Sequence, residues 1–296
     1  MSNAERRIAR IVTAHRQREG GGFVVRRPFP TMGLDAVDPF LLIDEMGPAD
    51  YGPGEAVGAP DHPHRGFETV TYMIEGEFEH EDSAGHRGSL RPGDVQWMTA
   101  GAGIIHSEMP SAEIRRDGGR VHGFQIWVNL PAADKMMRPR YQELSSEQIP
   151  MAKSEDGLAQ AKVVAGTALG VKAAIDTRIP IVFQDWTLKP GADVVIDIPA
   201  SERAMVYVFE GAMHAGEAGD EVRDGQLGIF SEGDVVRLAN RGKHDARFLL
   251  LAGAPINEPV ARYGPFVMNN EDELRQAFED FRSGRMGAIT REAQIG

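Results

Sequence analysis

Four side chains between Asp61 and Pro110 have types and spacings that could bind a metal ion. Two histidines stand two residues apart near the start of this stretch, and a histidine and a glutamate do so near its end. Successive side chains on a strand point to opposite faces, so residues two apart share one face. On neighbouring strands, the two pairs could converge on one point. The four residues are His62, His64, His106 and Glu108.

Three imidazoles and one carboxylate suit a divalent transition metal, namely Fe(II), Mn(II), Ni(II), Cu(II) or Zn(II). The chain has no cysteine, which excludes thiolate metal sites, disulfides and a cysteine nucleophile. A structural zinc site would be closed and tetrahedral. A six-coordinate ion with this ligand set would instead keep two positions for a substrate oxygen and dioxygen. Glu68, four residues after His64, is a fifth candidate ligand, although Pro63 and Gly66 interrupt the strand geometry between them.

These residues could also be unrelated turn and surface positions, because an H-P-H tripeptide by itself has little specificity. The stretch, however, combines H-P-H, a downstream glutamate, an E-G turn, a P-G-D turn and an H-S-E tripeptide. The combination within one compact segment favours a metal site over chance.

Neighbouring residues have less specific interpretations. Trp97 and Trp127 lie in apolar runs and are expected in the core, although an aromatic ring beside a metal also shapes a pocket. Arg65 belongs either to the rim of the site or to a solvated loop. His80 and His86 follow the E-G turn and are expected to be exposed.

Composition excludes several classes of protein. The 296 residues include 32 basic and 44 acidic side chains, for a net charge of −12. This acidic balance argues against direct nucleic-acid binding, which usually needs a basic face. No apolar run has the roughly 20 residues that span a bilayer. The N-terminus lacks the apolar region of a signal peptide, so a cytoplasmic location is expected.

Short β-rich runs separated by glycine and proline predict an all-β fold, a sandwich or a barrel. The chain contains 34 glycines and 18 prolines, spread over most of its length. The segment from Asn269 to Arg282 differs, because Leu274, Phe278 and Phe281 lie on one helical face. Acidic residues fill its first turn, where the helix dipole favours them. This predicts a C-terminal amphipathic helix that covers a barrel end or a sheet edge.

A weak internal repeat predicts two copies of one barrel. Glu75-Gly76 resembles Glu210-Gly211, and Gly93-Asp94 resembles Gly233-Asp234. We therefore expect an N-terminal metal-binding barrel over residues 1–138, a polar linker over 139–156, and a C-terminal barrel with the helix over 157–296. No H-x-H precedes the strand around residues 206–209, so the second barrel is expected to lack the metal site.

Longer sequence blocks resemble one family. The H-x-H-x3-E sequence and the later G-x-G-x2-H sequence resemble the two cupin motifs. Six further blocks are similar to the pirin family of the cupin superfamily, in particular to bacterial pirin-like proteins. They are R-R-P-F-P, D-P-F-L-L-I-D-E, H-P-H-R-G-F-E-T-V-T-Y, G-D-V-Q-W-M-T-A-G-A-G-I-I-H-S-E-M-P, W-V-N-L-P and Y-G-P-F-V-M-N. The resemblance extends from about residue 8 to residue 288.

The resemblance implies two cupin-type (jelly-roll) β-barrels packed face to face, with a C-terminal helix. It implies that the N-terminal barrel binds one divalent ion, most typically Fe(II), while Zn, Mn, Ni and Cu also fit the donors. By motif, the implied ligands are His62, His64, His106 and Glu108. Glu68, the ligand in a general cupin, is then expected to lie outside the ligand set.

The resemblance also implies an oxidoreductase, a metal-dependent quercetin 2,3-dioxygenase (quercetinase) that opens a flavonol ring with O2. Glu108 is the expected catalytic residue, accepting the flavonol hydroxyl proton directly, or Glu68 accepts it through a water. A small aromatic, flavonol-like compound is the expected substrate. Apolar residues near the motifs either line its pocket or belong to the core: Phe67, Met73, Trp97 and Met98.

The alternative function is that of an iron-binding, redox-sensing regulatory protein that acts through a protein partner. Composition favours a protein partner over DNA. A monomer is expected.

Overall fold

Strands make up most of the fold in the computed structural model, which describes residues 4–290. The first thirteen strands are β1 Ile8–Thr13, β2 His15–Glu19, β3 Phe23–Phe29, β4 Phe40–Tyr51, β5 Ala59–His64, β6 Phe67–Glu75, β7 Phe78–Asp82, β8 Arg87–Leu90, β9 Val95–Thr99, β10 Ile104–Pro110, β11 Gly119–Asn129, β12 Arg140–Leu144 and β13 Met151–Lys153. The remaining strands are β14 Ala159–Ala165, β15 Thr167–Ala168, β16 Val171–Lys172, β17 Ile181–Leu188, β18 Asp193–Asp197, β19 Arg203–Glu210, β20 Ala212–Ala215, β21 Asp220–Arg223, β22 Gln226–Phe230, β23 Val235–Ala239, β24 Ala246–Gly253, β25 Ala261–Tyr263 and β26 Phe266–Met268. The helices are α1 Ala112–Asp117 and α2 Glu271–Arg282.

The described residues form two compact units. The histidine unit comprises residues 16–26, 40–146 and 256–290 and contains the predicted metal ligands. The second unit comprises residues 4–15, 27–39 and 147–255. The predicted all-β fold with a C-terminal helix is confirmed.

Each unit is built around one seven-stranded and one four-stranded sheet. In the histidine unit the strand orders are β12-β9-β6-β11-β4-β3-β2 and β5-β10-β7-β8. In the second unit they are β1-β22-β19-β24-β17-β14-β13 and β18-β23-β20-β21. In the second unit, side chains of both sheets bury one hydrophobic cluster, in which Val206 and Leu250 of the larger sheet join Ile196 and Val236 of the smaller one.

The two strand orders correspond position by position, which supports the internal repeat. The E-G turns occupy equivalent places, after β6 and after β19, and Gly76 and Gly211 there have φ angles of 84° and 73°. Such positive φ favours glycine because it has no Cβ.

The second part of the predicted repeat, which matched Gly93-Asp94 with Gly233-Asp234, does not correspond in the structure. Gly93 donates its N–H to the carbonyl of Met73 at 2.7 Å, and Gly225 donates to the carbonyl of Val208 at 2.9 Å. Met73 and Val208 each lie two residues before the glutamate of an E-G turn. Gly225 is therefore the counterpart of Gly93, whereas Gly233 precedes β23, which corresponds to β10.

In the second unit, aliphatic side chains stand where the histidine unit carries the predicted ligands. Strands β18 and β23 correspond to β5 and β10, and Val236 is paired with Ile196 as His106 is paired with His62. The four corresponding side chains all belong to one buried cluster: Ile196, Ile198, Val236 and Leu238. This unit therefore uses the equivalent space for packing.

The compact units do not follow the predicted boundaries at residues 138 and 157. Strand β1 pairs antiparallel with β22, so the N-terminal segment completes a sheet of the second unit. The predicted linker contains β12 and β13, which pair with β9 and β14 respectively. Residues 256–290, including α2, belong to the histidine unit. Such pairings join residues far apart in sequence, and local composition carries no signal for them.

Helix α2 begins and ends where the sequence signals predicted. The side chain of Asn270 accepts a hydrogen bond from the N–H of Glu273 at 3.0 Å, and the carboxylate of Glu273 accepts one from the Asn270 side-chain amide at 2.9 Å. Leu274 and Ala277 are buried in a cluster with Phe266 and neighbouring apolar residues. Within residues 4–290, no helix is both long and apolar enough to cross a membrane.

Replacing Asn270 by Ala is expected to destabilise the protein by about 1 kcal/mol, because the first turn of α2 loses a side-chain cap. Thermal unfolding should show a midpoint lowered by roughly 2–4 °C. Asn270→Ser, which retains a capping oxygen, should unfold close to the wild type. An unchanged midpoint for the alanine variant would show that the cap does not limit stability.

Candidate metal centre

Three histidines converge on one point inside the histidine unit. Strands β5 and β10 are antiparallel, and their register pairs His106 with His62 and Ile104 with His64. The ring centroids of the three histidines are 4.4 to 5.0 Å apart. One ligand nitrogen from each ring lies within 4.8 Å of the other two. This arrangement could hold a metal ion.

Backbone carbonyls orient two of the rings. Nδ1 of His62 lies 2.8 Å from the carbonyl oxygen of Pro60, and Nδ1 of His64 lies 3.4 Å from that of Pro265. A carbonyl can only accept, so Nδ1 of each neutral ring carries the proton and Nε2 keeps a lone pair. Histidine ligands of metals commonly donate their other N–H to such a partner.

The ring of His106 supplies a test of whether a metal fits the site. Both of its nitrogens are buried, and neither has a hydrogen-bond partner in the part of the chain that the structure describes. Burying an unpaired polar atom costs free energy. A metal ion among three imidazoles would satisfy one of these nitrogens, so the donor set and the burial both fit a divalent ion.

The electrostatics keep the buried rings neutral. Burial lowers the pKa of His64 and of His106 well below the usual value, and repulsion from His62 lowers both further. Only a neutral imidazole has a lone pair for a metal. These rings are therefore already in the metal-binding state at neutral pH.

Glu108 lies beside His106, and two hydrogen bonds orient its carboxylate. Its carboxylate accepts hydrogen bonds from the Thr71 hydroxyl at 2.6 Å and from the Gln125 side-chain amide at 2.8 Å. One carboxylate oxygen is 4.0 Å from Nε2 of His106. The carboxylate is thus close enough for a role at the centre, and its position as a fourth ligand stays a prediction.

Glu68 lies apart from this group. Its side chain is buried and accepts a hydrogen bond from the Thr99 hydroxyl at 2.6 Å. Because side chains alternate along a strand, Glu68 is on the opposite face of β6 from Thr71, which contacts Glu108. This placement argues against a role for Glu68 at the metal or in a water relay beside it.

Aromatic rings form a wall next to the histidines. The Phe67 ring centroid is 5.1 Å from that of His64, and the Trp127 centroid is 5.2 Å from it. The guanidinium of Arg262 lies 4.7 Å above the Trp127 ring. Phe67 is fully buried, whereas Trp127 is partly exposed. Trp127 therefore contacts His64 and is also accessible to solvent, while Trp97 is a core residue at 0% exposure.

Two features of the site could not be read from the sequence. His80, expected to be exposed, is 4% exposed and lies 3.1 Å from a carboxylate oxygen of Glu143. It is paired with Glu108 across β7 and β10 and so faces the same interior. The roles of Thr71 and Gln125 were also missed, since the signal for them is the pairing of β6 with β11 and not a local motif.

Comparison with known proteins agrees with this architecture. The profile of the family described as Pirin matches residues 22–128, and that of the Pirin C-terminal cupin domain matches residues 183–287. A pirin-like protein of Solanum lycopersicum is 43% identical over 283 residues, covering 95% of this chain and 93% of the relative. Pirin of Homo sapiens is 42% identical over 299 residues, covering 99% of each.

A solved structure extends the likeness to the fold. The crystal structure of a quercetin 2,3-dioxygenase from Acinetobacter baumannii superposes with a TM-score of 0.90 at 36% identity, covering 97% of this chain and 100% of the other. The predicted cupin fold in two halves is thereby confirmed. The family matches span most of the chain, and the relatives match over nearly their whole length. The chain belongs to the pirin family.

Proposed function

We propose that this protein is a metal-dependent dioxygenase of the quercetin 2,3-dioxygenase type. The observation that carries the proposal is the histidine triad, with the rings of His64 and His106 buried and a carboxylate and an aromatic wall beside it. The likeness to the Acinetobacter baumannii quercetin 2,3-dioxygenase supports the same reaction class.

His62, His64, His106 and Glu108 are the proposed ligands, with Fe(II) as the proposed native ion. A divalent ion there would supply a Lewis acid and a template that holds the substrate oxygen near dioxygen. The neutral rings of His64 and His106 match this role, since both offer a nitrogen lone pair without first losing a proton.

The carboxylate of Glu108 is proposed to accept the proton of the substrate hydroxyl. Thr71 and Gln125 each donate to it, so its lone pairs are held in a defined direction. These contacts orient the base before a substrate binds, which lowers the reorganisation that proton transfer requires.

The aromatic wall is proposed to select a flat, ring-bearing substrate. The rings of Phe67 and Trp127 lie 4.3 Å apart between centroids and both contact His64. Offset and edge-on ring contacts at such distances are favourable. A flavonol presents both a planar ring system and an acidic hydroxyl, as this combination of wall and base requires.

The test is metal analysis of natively expressed protein, followed by an O2-uptake screen with quercetin and related flavonols. Protein loaded anaerobically with Fe(II), Mn(II), Ni(II), Cu(II) or Zn(II) is compared with metal-free protein. We expect O2 and flavonol to be consumed in equal amounts and only with metal present. Metal-loaded protein that consumes neither would refute the dioxygenase and favour the redox-sensing regulatory role, for which capture of a protein partner by one iron oxidation state is the corresponding assay.

A further inference from the structure

The backbone after His64 is held by the C-terminal segment, which we define as residues 261–290. The N–H of Val267 donates to the carbonyl of Arg65 at 3.1 Å, and Arg65 forms a parallel β-bridge with Phe266. The carbonyl of Pro265 is the partner of Nδ1 of His64. The segment therefore contacts both the ring and the chain of a predicted ligand.

Arg65 joins three elements around the centre. Its side chain is 5% exposed, and its guanidinium forms an ion pair with Asp280 of α2 at 2.7 Å. Its Nε–H donates to the carbonyl of Ala102 at 2.6 Å, in the turn that leads into β10 and His106. One guanidinium thus fixes the end of β5, the start of β10 and helix α2 together.

A second contact ties the same helix region to β10. The hydroxyl of Ser83 donates to the carbonyl of Met286 at 2.9 Å and accepts from the N–H of Ile105 at 3.1 Å. Ile105 is the neighbour of His106. Both strands that present histidines are therefore connected to the segment that follows β26.

We propose that Arg65 and Asp280 are a positioning pair through which docking of helix α2 and occupancy of the metal site are coupled. The inference rests on the metal site of the proposed function and does not depend on the dioxygenase reaction. Coupling between two sites is reciprocal. If the docked helix strengthens metal binding, the metal strengthens docking of the helix by the same factor.

The charge state of Asp280 suits a permanent link. Its desolvation acts to raise the pKa, but hydrogen bonds from Gln276, Arg65 and Arg285 prevail and lower the pKa to about 2. The carboxylate is ionised throughout the physiological range. Because Arg65 is buried, loss of this partner would leave its charge poorly compensated, so the loops on either side would move to solvate it.

The first test compares Ni(II) affinity, by titration calorimetry, of the full-length wild type with Asp280→Asn. Partners that orient ligands typically change metal affinity by 10–100-fold, and we expect about tenfold weaker binding here. Asp272→Asn is the matched control, since Asp272 lies on the same helix and pairs with Arg275 at the exposed surface. Its affinity should stay within about twofold of the wild type.

The second test needs no variant. Hydrogen exchange at the amides of α2 is measured in metal-free and Ni(II)-loaded wild type, with α1 as the internal comparison. We expect amide exchange in α2 to slow when Ni(II) binds. The factor should be about the same as the factor by which Asp280→Asn lowers the Ni(II) affinity. A purely structural role predicts instead that Asp280→Asn lowers the unfolding midpoint equally with and without metal.

Wild-type affinity in Asp280→Asn, or equal exchange of α2 with and without Ni(II), would overturn the coupling. A wild type that binds no Ni(II) would overturn the metal site and the coupling together. Tight Ni(II) binding with coupled exchange but no O2 uptake under any metal would refute the dioxygenase and support the coupling. The two proposals therefore fail by different results.

Discussion

A His106→Val variant is expected to bind Ni(II) about a hundredfold more weakly than the wild type, while its metal-free form unfolds at the same temperature as the metal-free wild type or higher. The imidazole of His106 is 1% exposed, and its two nitrogens lack hydrogen-bond partners among the described residues. Without a metal these atoms cost stability and give nothing in return. In the second unit a valine, Val236, occupies the position that corresponds to His106 and is buried in the core.

The two effects have different sizes. Structural zinc sites bind their ion with about 10–16 kcal/mol, so one of four proposed ligands accounts for roughly 3 kcal/mol, or about a hundredfold in affinity. Removing unpaired buried polar atoms raises the free energy of unfolding of the metal-free protein by about 1–3 kcal/mol. The void around the smaller side chain offsets part of this gain. Ni(II) titration measures the first effect, and thermal unfolding in a chelator measures the second.

His214→Val in the second unit is the matched control, because His214 is half-buried on the equivalent four-stranded sheet. It should leave the metal affinity unchanged. Wild-type Ni(II) affinity in His106→Val would remove His106 from the ligand set. A metal-free His106→Val that unfolds well below the metal-free wild type would show that the apparently unpaired nitrogens have partners.

The convergence of the histidines was predictable in part. An i, i+2 spacing places His62 and His64 on one face wherever the chain is extended, and the same holds for His106 and Glu108. Which strand lies beside which was not predictable from either pair alone. The register that pairs His106 with His62 joins residues more than forty positions apart, and only tertiary packing determines it.

The repeat shows how local resemblance can mislead. The E-G turns were matched correctly, because a positive φ at the turn requires glycine in both units. The G-D dipeptides looked equally similar, yet Gly93 corresponds to Gly225. Glycine followed by aspartate is common in turns of any kind, so the dipeptide by itself does not identify a topological position.

The placement of helix α2 illustrates a different limit. Its capping residues and apolar face were predictable from the sequence, since they depend on neighbours within a few residues. Its partner was not, because the ion pair of Asp280 with Arg65 spans most of the chain. Arg65 itself was consistent with a rim or a solvated loop, and its burial follows from contacts with residues beyond position 260.

Glu108→Gln is expected to weaken metal binding by about 10–100-fold, whereas Glu68→Gln leaves it within about twofold. Both substitutions replace a carboxyl group by an amide of the same shape. Of these two side chains, Glu108 is the one near the histidine triad, with a carboxylate oxygen 4.0 Å from Nε2 of His106. Glu68 is on the other face of β6, where its contact is the Thr99 hydroxyl. Ni(II) titration of both variants measures the difference.

The glutamine variant also separates ligation from proton acceptance. An amide at position 108 can still accept from Thr71 or Gln125 through its oxygen, so the pocket should keep its shape, but it cannot accept a proton. Flavonol-dependent O2 uptake by Glu108→Gln should therefore stay well below that of the wild type even when enough metal is present to fill the site. Equal losses of metal affinity in Glu108→Gln and Glu68→Gln would contradict the assignment of Glu108 as a ligand. Full activity of metal-saturated Glu108→Gln would show that another group accepts the proton.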